Sequence, residues 1–130
     1  MTPRARLFLF VLAVLLAGQA SAHHNMTAVF DFNDRVTVTG TLTAIDWRKP
    51  DTYFTVEVKA SGSASETWQI AGPSPSFFRI RDVGMPDFEQ SVGITVTVEI
   101  SRARDKSRSG LIRTFTLANG KIVSACPQNC

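Results

Sequence analysis

Hydrophobic and polar residues alternate along five stretches of the chain, the period-two pattern of half-buried β-strands. The first stretch covers 34–47, where threonines occupy the polar positions and Gly40 interrupts the apolar row, at a place suited to a bulge. Its inward residues are expected to be Val36, Val38, Leu42 and Ala44. The other strands are predicted at 53–59, 66–71, 93–101 and 111–117. Asn119-Gly120 predicts a tight turn into a short extra strand at 121–123.

A different pattern separates the third and fourth strands and predicts one short helix. Ser74 is suited to cap its start and Pro75 to occupy its first turn. Gly84 is suited to end it, and Pro86 prevents its continuation. Three strands, a helix and two or three further strands favour an all-β domain at 23–123, a small five- to six-stranded OB-like antiparallel barrel. A β-sandwich is the alternative.

The N-terminal residues 1–22 have the features of a cleavable signal peptide. Arg4 and Arg6 precede a run at 7–17 without polar side chains, and Ala20-Ser21-Ala22 is the small-x-small pattern that signal peptidase cleaves. Eleven residues span only about 16 Å as a helix, against roughly 30 Å of hydrocarbon. We therefore predict a periplasmic or secreted protein with no membrane span after cleavage; an uncleaved anchor is the alternative.

Cleavage after residue 22 changes the charge balance of the chain. The full sequence has 14 Lys and Arg against 11 Asp and Glu, a net charge of +3. Loss of Arg4 and Arg6 leaves 12 basic residues against the same 11 acids, a net charge of +1. An almost neutral exported domain is a poor candidate for a nucleic-acid partner.

Several segments resemble a family of small exported bacterial proteins classed as a domain of unknown function. The segments are the mature start His23-His24, FDFNDRVTVTGTLTAIDW at 30–47, Trp68-Gln69-Ile70 followed by Gly72-Pro73, and TLANGK at 116–121. Members of that family typically have a His-His start, a V-T-L-T-G-T strand, a W-x-N-P-H turn, a G-G-x-P stretch and a T-L-x-D-G-K ending. The resemblance implies a periplasmic β-barrel and brings no established activity.

One turn departs from the family pattern. Where the family has W-x-N-P-H, this chain has Trp47-Arg48-Lys49-Pro50-Asp51, so that Lys49 replaces the asparagine and Asp51 the histidine. A family function that uses the turn histidine is therefore in doubt for this chain.

The histidine pair His23 and His24 is the first candidate metal site. After cleavage, the terminal amine of His23, its imidazole and a backbone or side-chain nitrogen of His24 present nitrogen ligands, which suit Cu(II). The sequence contains no other histidine, so Met26 and Asp51 are the further candidate ligands. A solvated terminus without metal is the alternative interpretation.

Two cysteines, Cys126 and Cys130, lie in a tail at 124–130. In an oxidising compartment such a pair is expected to form a disulfide. Because the closed loop is very short, it would order the tail alone, contributing on the order of 2 kcal/mol. Redox-active or metal-binding thiols and pairing between molecules are the alternatives.

Four cations recur at period two in the predicted hairpin tip: Arg102, Arg104, Lys106 and Arg108. If the hairpin stays extended, they line one face that could contact phosphate, lipid headgroups or an acidic polymer. A solvated tip that resists aggregation is the alternative.

Aromatic residues provide a second candidate contact surface. Trp47, Tyr53 and Trp68 could form a platform of the kind that OB barrels use for sugars or bases, or could pack in the core and at its rim.

Catalytic signals are sparse. The sequence has neither a G-x-S-x-G nor an H-E-x-x-H motif, and no histidine beyond the terminus to act as a general base. We therefore expect a non-enzymatic binding or interaction module for an unidentified envelope ligand or protein, without a cofactor. A periplasmic copper-binding protein is the alternative.

Overall fold

The computed structural model describes residues 25–62 and 64–125, which form six strands and three short helices. The strands are β1 (Phe30–Trp47), β2 (Thr52–Val58), β3 (Glu66–Gly72), β4 (Thr95–Ala103), β5 (Ser109–Thr116) and β6 (Ile122–Ser124). The helices are α1 (Met26–Val29), α2 (Pro75–Arg79) and α3 (Met85–Glu89). The predicted strands are therefore confirmed, and the first begins four residues earlier than expected.

The strands form one sheet that curls into a barrel-like ring. Antiparallel neighbours follow the order β3-β2-β1-β4-β5-β6. A parallel pairing of Gln69, Ile70 and Ala71 with 109–111 joins β3 to β5 and connects the two ends of the five-stranded ring. The predicted OB-like class is thus confirmed, because a single sheet encloses the core in place of two sheets packed face to face.

The 18-residue strand β1 pairs with β4 through its first half and with β2 through its second. The predicted irregularity lies at Thr43, where the register shifts, and not at Gly40. The shift reverses the faces of the following residues, so that Ala44 is exposed while Ile45 and Trp47 pack on the core, contrary to the expected inward position of Ala44. Gly40 has another role, because a Cβ there would collide with the backbone oxygen of Glu57.

The interior of the ring is filled mainly by aliphatic strand residues and by phenylalanines from strands and helices. Phe54, Phe78, Phe88 and Phe115 are fully buried. Their rings contact one another, with centroids of Phe54 and Phe88 4.8 Å apart and of Phe88 and Phe115 5.3 Å apart. The two helices between β3 and β4 therefore close one end of the core by inserting one phenylalanine each, Phe78 and Phe88.

The predicted single helix is wrong in its extent, because the segment forms two helices. Ser74 caps α2 as expected, its Oγ accepting from the Phe77 N–H at 3.4 Å, but that helix ends at Arg79. Gly84 precedes α3 instead of ending a longer helix, and Pro86 lies in the first turn of α3. Proline is tolerated there since the first-turn N–H groups have no helical acceptor.

A smaller apolar cluster lies outside the ring, where the N-terminal segment crosses the sheet. It consists of Phe30, Ala71, Ala103 and Leu111, with Met26 and Phe32 packed against it. The residues at the start of the described chain are thereby fixed on the outer face of β3, β4 and β5.

Candidate functional site

A cavity of about 290 Å³ lies between α1 and the outer face of β2, β3 and β5. We call it the outer cavity. Its lining residues come from the N-terminal segment, the β1–β2 loop and the three strands: Asn25, Met26, Val29, Phe30, Asp51, Tyr53, Gln69, Ala71, Ser109 and Gly110.

Strand alternation places the floor of the outer cavity. Phe54 and Ile70 are fully buried inside the ring, so their neighbours Tyr53 and Ala71 face outwards. Tyr53 lies directly opposite Ala71 in the β2–β3 register. The small Ala71 side chain leaves room beneath α1, and the cavity occupies that room.

The rim of the outer cavity is polar. Gln69 and Ser109 are register partners across the parallel β3–β5 pairing, and the Ser109 hydroxyl lies 2.9 Å from that of Ser107. Asp51 is the one charged residue among those that line the cavity. The following residue fixes the loop end, because Thr52 is fully buried and its Oγ donates to the Pro73 oxygen at 2.9 Å.

A second, more open depression adjoins the outer cavity on β1, β2 and β3. Tyr53 and Gln69 belong to both. Gln69 Nε2 donates to Thr55 Oγ1 at 3.0 Å, and an Arg48–Asp46 ion pair of 2.8 Å lies at the far side. Tyr53, with 40% of its surface exposed, therefore stands between an apolar recess and a polar one.

The hairpin that carries the four cations does not stay extended, which was the condition for a single charged face. β4 ends at Ala103, a turn follows at Arg104 and Asp105, and Lys106 adopts a left-handed backbone with φ of 61°. Because the chain turns there, the four cations do not share one face of an extended strand.

Three of the four hairpin cations have a carboxylate partner. Arg104 lies 3.8 Å from Asp31, Lys106 lies 2.6 Å from Asp34, and Arg108 lies 3.0 Å from Glu66. These pairs are exposed, so they contribute little stability, but they neutralise the surface locally.

The fourth cation, Arg102, folds back on its own hairpin. Its Nη2 donates to the Lys106 oxygen at 2.6 Å, and its guanidinium lies 5.7 Å from the centre of the Trp68 ring. Nearby, hydrogen bonds from the Ser107 hydroxyl and backbone N–H lower the pKa of Asp105, which adds a further negative charge to the tip.

Of the two interpretations of the aromatic residues, packing in the core and at its rim holds for Trp68 and Trp47. Trp68 faces the core and is 9% exposed, since it pairs with the inward Val56. Trp47 is half-buried and stacks on Phe78. Only Tyr53 of the three lies on the outer face, where it borders the outer cavity.

The predicted metal and disulfide residues His23, His24, Cys126 and Cys130 lie outside the described residues. Within 25–62 and 64–125, no three His, Cys, Asp or Glu side chains are grouped to hold a metal ion. The helices of this part of the chain are also too short to cross a membrane.

Tyr53, Asp51 and Met26 stand out in the sequence one by one, but the sequence gives no sign that they line a common cavity. A lone aromatic residue at a polar position of a strand was the one available signal. Gln69 and Ser109 are 40 positions apart in the sequence, and only the β3–β5 pairing brings them together.

Comparison with known proteins gives a family and no activity. No curated protein and no solved structure matches the chain. The model of a family of unknown function, DUF6152, matches residues 11–114 of the 130. This span includes β1 to β4, β5 as far as Thr114, and every residue that lines the outer cavity. The chain therefore belongs to the family of unknown function DUF6152.

Proposed function

We propose that this protein is an exported, non-catalytic binding module that holds a small ligand in the outer cavity. The observation that carries the proposal is the cavity itself, which combines an apolar floor with a polar rim on the outer face of β2 and β3. Ligand sites in proteins are typically concave and mostly apolar, with a few polar groups that orient the ligand.

The position of the outer cavity in the fold also supports binding. OB-type barrels bind ligands on the face of their second and third strands, between the β1–β2 and β4–β5 loops. Here Asp51 comes from the first of these loops, and Ser109 directly follows the second. With a volume of about 290 Å³, the cavity suits one small molecule or one unit of a larger one.

The chemistry of the rim favours binding over catalysis. The lining residues include one carboxylate, Asp51, and one serine hydroxyl, Ser109, which is 2.9 Å from the hydroxyl of Ser107. Nucleophilic catalysis needs an activated nucleophile, and the hydrogen-bond partner that the structure gives the Ser109 hydroxyl is another hydroxyl and not a basic group.

Filling the cavity tests the proposal. Ala71→Leu adds three carbons to the cavity floor, whereas Thr95→Leu adds apolar volume to an exposed position of β4 away from it. Thermal unfolding would be followed with a panel of neutral, cationic and anionic small molecules. We expect compounds that raise the Tm of wild type and of Thr95→Leu but not of Ala71→Leu. Stabilisation of all three proteins by the same compounds would refute the site.

The proposed export depends on the signal-like residues 1–22. Expression of the full chain in a Gram-negative host should give a periplasmic product whose N-terminal residue, measured by mass spectrometry, is His23. An Ala20→Arg, Ala22→Arg variant should keep the precursor uncleaved. A full-length product in the cytoplasm for wild type would contradict export.

Copper binding is a second candidate function, and one observation favours it. Asn25, which directly follows His24 in the chain, lines the same cavity as Asp51. The histidine pair therefore directly precedes, in the sequence, a residue of the cavity that holds the Asp51 carboxylate. Nitrogen and carboxylate oxygen ligands together suit Cu(II).

The copper proposal is tested by the terminus itself. Cu(II) is titrated into protein that begins at His23, into the same protein with one added N-terminal residue, and into an Asp51→Asn variant. Tight binding that weakens on blocking the terminus and on loss of the Asp51 carboxylate supports the proposal. Equally weak binding by all three proteins excludes it.

A further inference from the structure

We propose that the ligand of the outer cavity is a small organic ammonium ion, with its charge beside Asp51 and its apolar part on the cavity floor. This inference rests on the proposed binding function and specifies the chemical class of the ligand.

The charge of the lining residues is the first argument. Among these residues only Asp51 carries a charge at neutral pH, and no lysine or arginine lines the outer cavity. Asp51 also takes part in none of the ion pairs among the described residues. A carboxylate that forms no ion pair with the cations of the described residues, at the edge of an apolar recess, attracts a ligand cation and repels an anion.

Arg104, which contacts the N-terminal segment, has its guanidinium partners outside the lining residues. Arg104 Nε donates to the Thr27 oxygen at 2.8 Å, and Arg104 Nη1 lies 3.8 Å from Asp31. Neither Thr27 nor Asp31 lines the outer cavity, and Arg104 itself is not among the lining residues. On the other side, Arg48 borders only the second depression, where it pairs with Asp46 at 2.8 Å.

The aromatic residues are the second argument. Tyr53 and Phe30 both line the outer cavity, and aromatic faces attract ammonium groups through the ring quadrupole. Tyr53 follows Asp51 by two residues, so one short segment provides both a carboxylate and an aromatic ring. A ligand that binds both needs a positive charge joined to an apolar group.

The size of the cavity sets the scale of the apolar group. An apolar protein cavity of about 150 Å³ holds benzene. The outer cavity, at about 290 Å³, therefore accommodates a phenyl group together with a short aminoalkyl chain. Its apolar floor comes from Met26, Phe30 and Ala71.

Three probes that differ in charge test the inference: 2-phenylethylamine, 2-phenylethanol and phenylacetate. Affinities for wild type are measured by isothermal titration calorimetry at neutral pH and at two salt concentrations. We expect the amine to bind best, the alcohol to bind about fivefold more weakly, and phenylacetate to bind most weakly. Added salt should weaken amine binding and leave alcohol binding unchanged, because only a charge–charge attraction is screened.

Two isosteric variants locate the charge. Asp51→Asn should lower amine affinity to about that of the alcohol without changing alcohol affinity. Asp46→Asn, which removes an equal charge from the second depression, should leave both affinities close to wild type. A loss of the amine preference in Asp46→Asn but not in Asp51→Asn would overturn the assignment of Asp51.

The result with the neutral probe separates this inference from the proposed function. If the alcohol binds as well as the amine and Ala71→Leu abolishes both, the cavity binds ligands but the ammonium assignment is wrong. If phenylacetate binds best, the assignment is also wrong. If Ala71→Leu binds the amine as wild type does, the amine binds elsewhere, and both proposals fail for this probe.

Discussion

Trp47 stacks on Phe78, with ring centroids 5.2 Å apart and planes inclined by 26°. The contact joins the last residue of β1 to the helix that follows β3. Phe78 has no exposed surface and also meets Phe88 at 5.4 Å. Although α2 has only five residues, it covers one end of the core through Phe78.

Replacing Phe78 by alanine should therefore destabilise the protein strongly. We expect a loss of about 3–5 kcal/mol in the free energy of unfolding, because the truncation leaves a cavity among aromatic rings. Urea unfolding followed by tryptophan fluorescence measures the change, and Trp47 should report it directly. Ile80→Ala is the matched control: Ile80 follows the same helix but is 76% exposed, so a change within about 0.5 kcal/mol is expected. Equal losses in both variants would contradict the burial of Phe78.

The strands could be predicted because each has a simple alternating pattern with one buried face. In β4, Val96, Val98 and Ile100 are all buried, as their alternation indicated. The same logic failed in β1 after Thr43, because one extra residue in a bulge exchanges the two faces. The two-helix segment was harder, since Gly84 and Pro86 suit the end of one helix as well as the start of the next.

The outer cavity could not be predicted from local patterns. Its lining residues come from four separate parts of the chain, between Asn25 and Gly110. The single charged face at the hairpin tip did not form for a related reason. Regular spacing of Arg102, Arg104, Lys106 and Arg108 suggested one charged face, but the acids that pair with three of them lie 42 to 73 positions away in the sequence.

Asp87 should make the stability of the protein depend on pH in the acidic range. Its Oδ2 accepts from the Gly84 N–H at 2.8 Å, and its Oδ1 accepts from Lys121 Nζ at 2.9 Å. The hydrogen bond from Gly84, followed by that from Lys121, lowers the pKa of Asp87 below its ordinary value of 3.8. A carboxyl with a lowered folded-state pKa stabilises the protein above its unfolded pKa, and this contribution is lost as the pH falls through the folded value.

Asp87→Asn should accordingly be less stable than wild type at pH 7, by about 0.5–1 kcal/mol, which is the typical net contribution of one hydrogen bond. The difference should shrink below pH 4 and vanish once Asp87 is protonated in the folded protein. Urea unfolding between pH 2 and 7 measures it. Glu89→Gln, a neutralised exposed residue of the same helix, should show a much smaller pH-dependent difference. A constant offset for Asp87→Asn at every pH would exclude the ionic contribution.

Gly40 should tolerate no side chain, because the backbone oxygen of Glu57 occupies the place of its Cβ. Val56 Cγ1 lies only 3.0 Å from the same position. A backbone atom of a paired strand cannot move without disturbing the sheet, so Gly40→Ala should cost about 2 kcal/mol. Thr37→Ala, on an exposed position of the same strand, should cost less than about 1 kcal/mol. A Gly40→Ala variant as stable as wild type in thermal unfolding would refute the close approach.

The hairpin between β4 and β5 should bind polyanions only weakly while acidic residues of other strands neutralise its cations. Asp34 and Glu66 neutralise Lys106 and Arg108, at 2.6 and 3.0 Å. The Asp34→Ala, Glu66→Ala variant leaves both cations without these partners, and we expect it to elute from heparin at a clearly higher salt concentration than wild type. Glu57→Ala, Glu89→Ala makes the same change in net charge at exposed positions outside those ion pairs. If the two double variants gain equal retention, net charge alone determines it and the ion pairs do not mask a binding surface. A larger gain for the hairpin variant would show that local pairing, and not a shortage of cations, keeps this tip from binding acidic polymers.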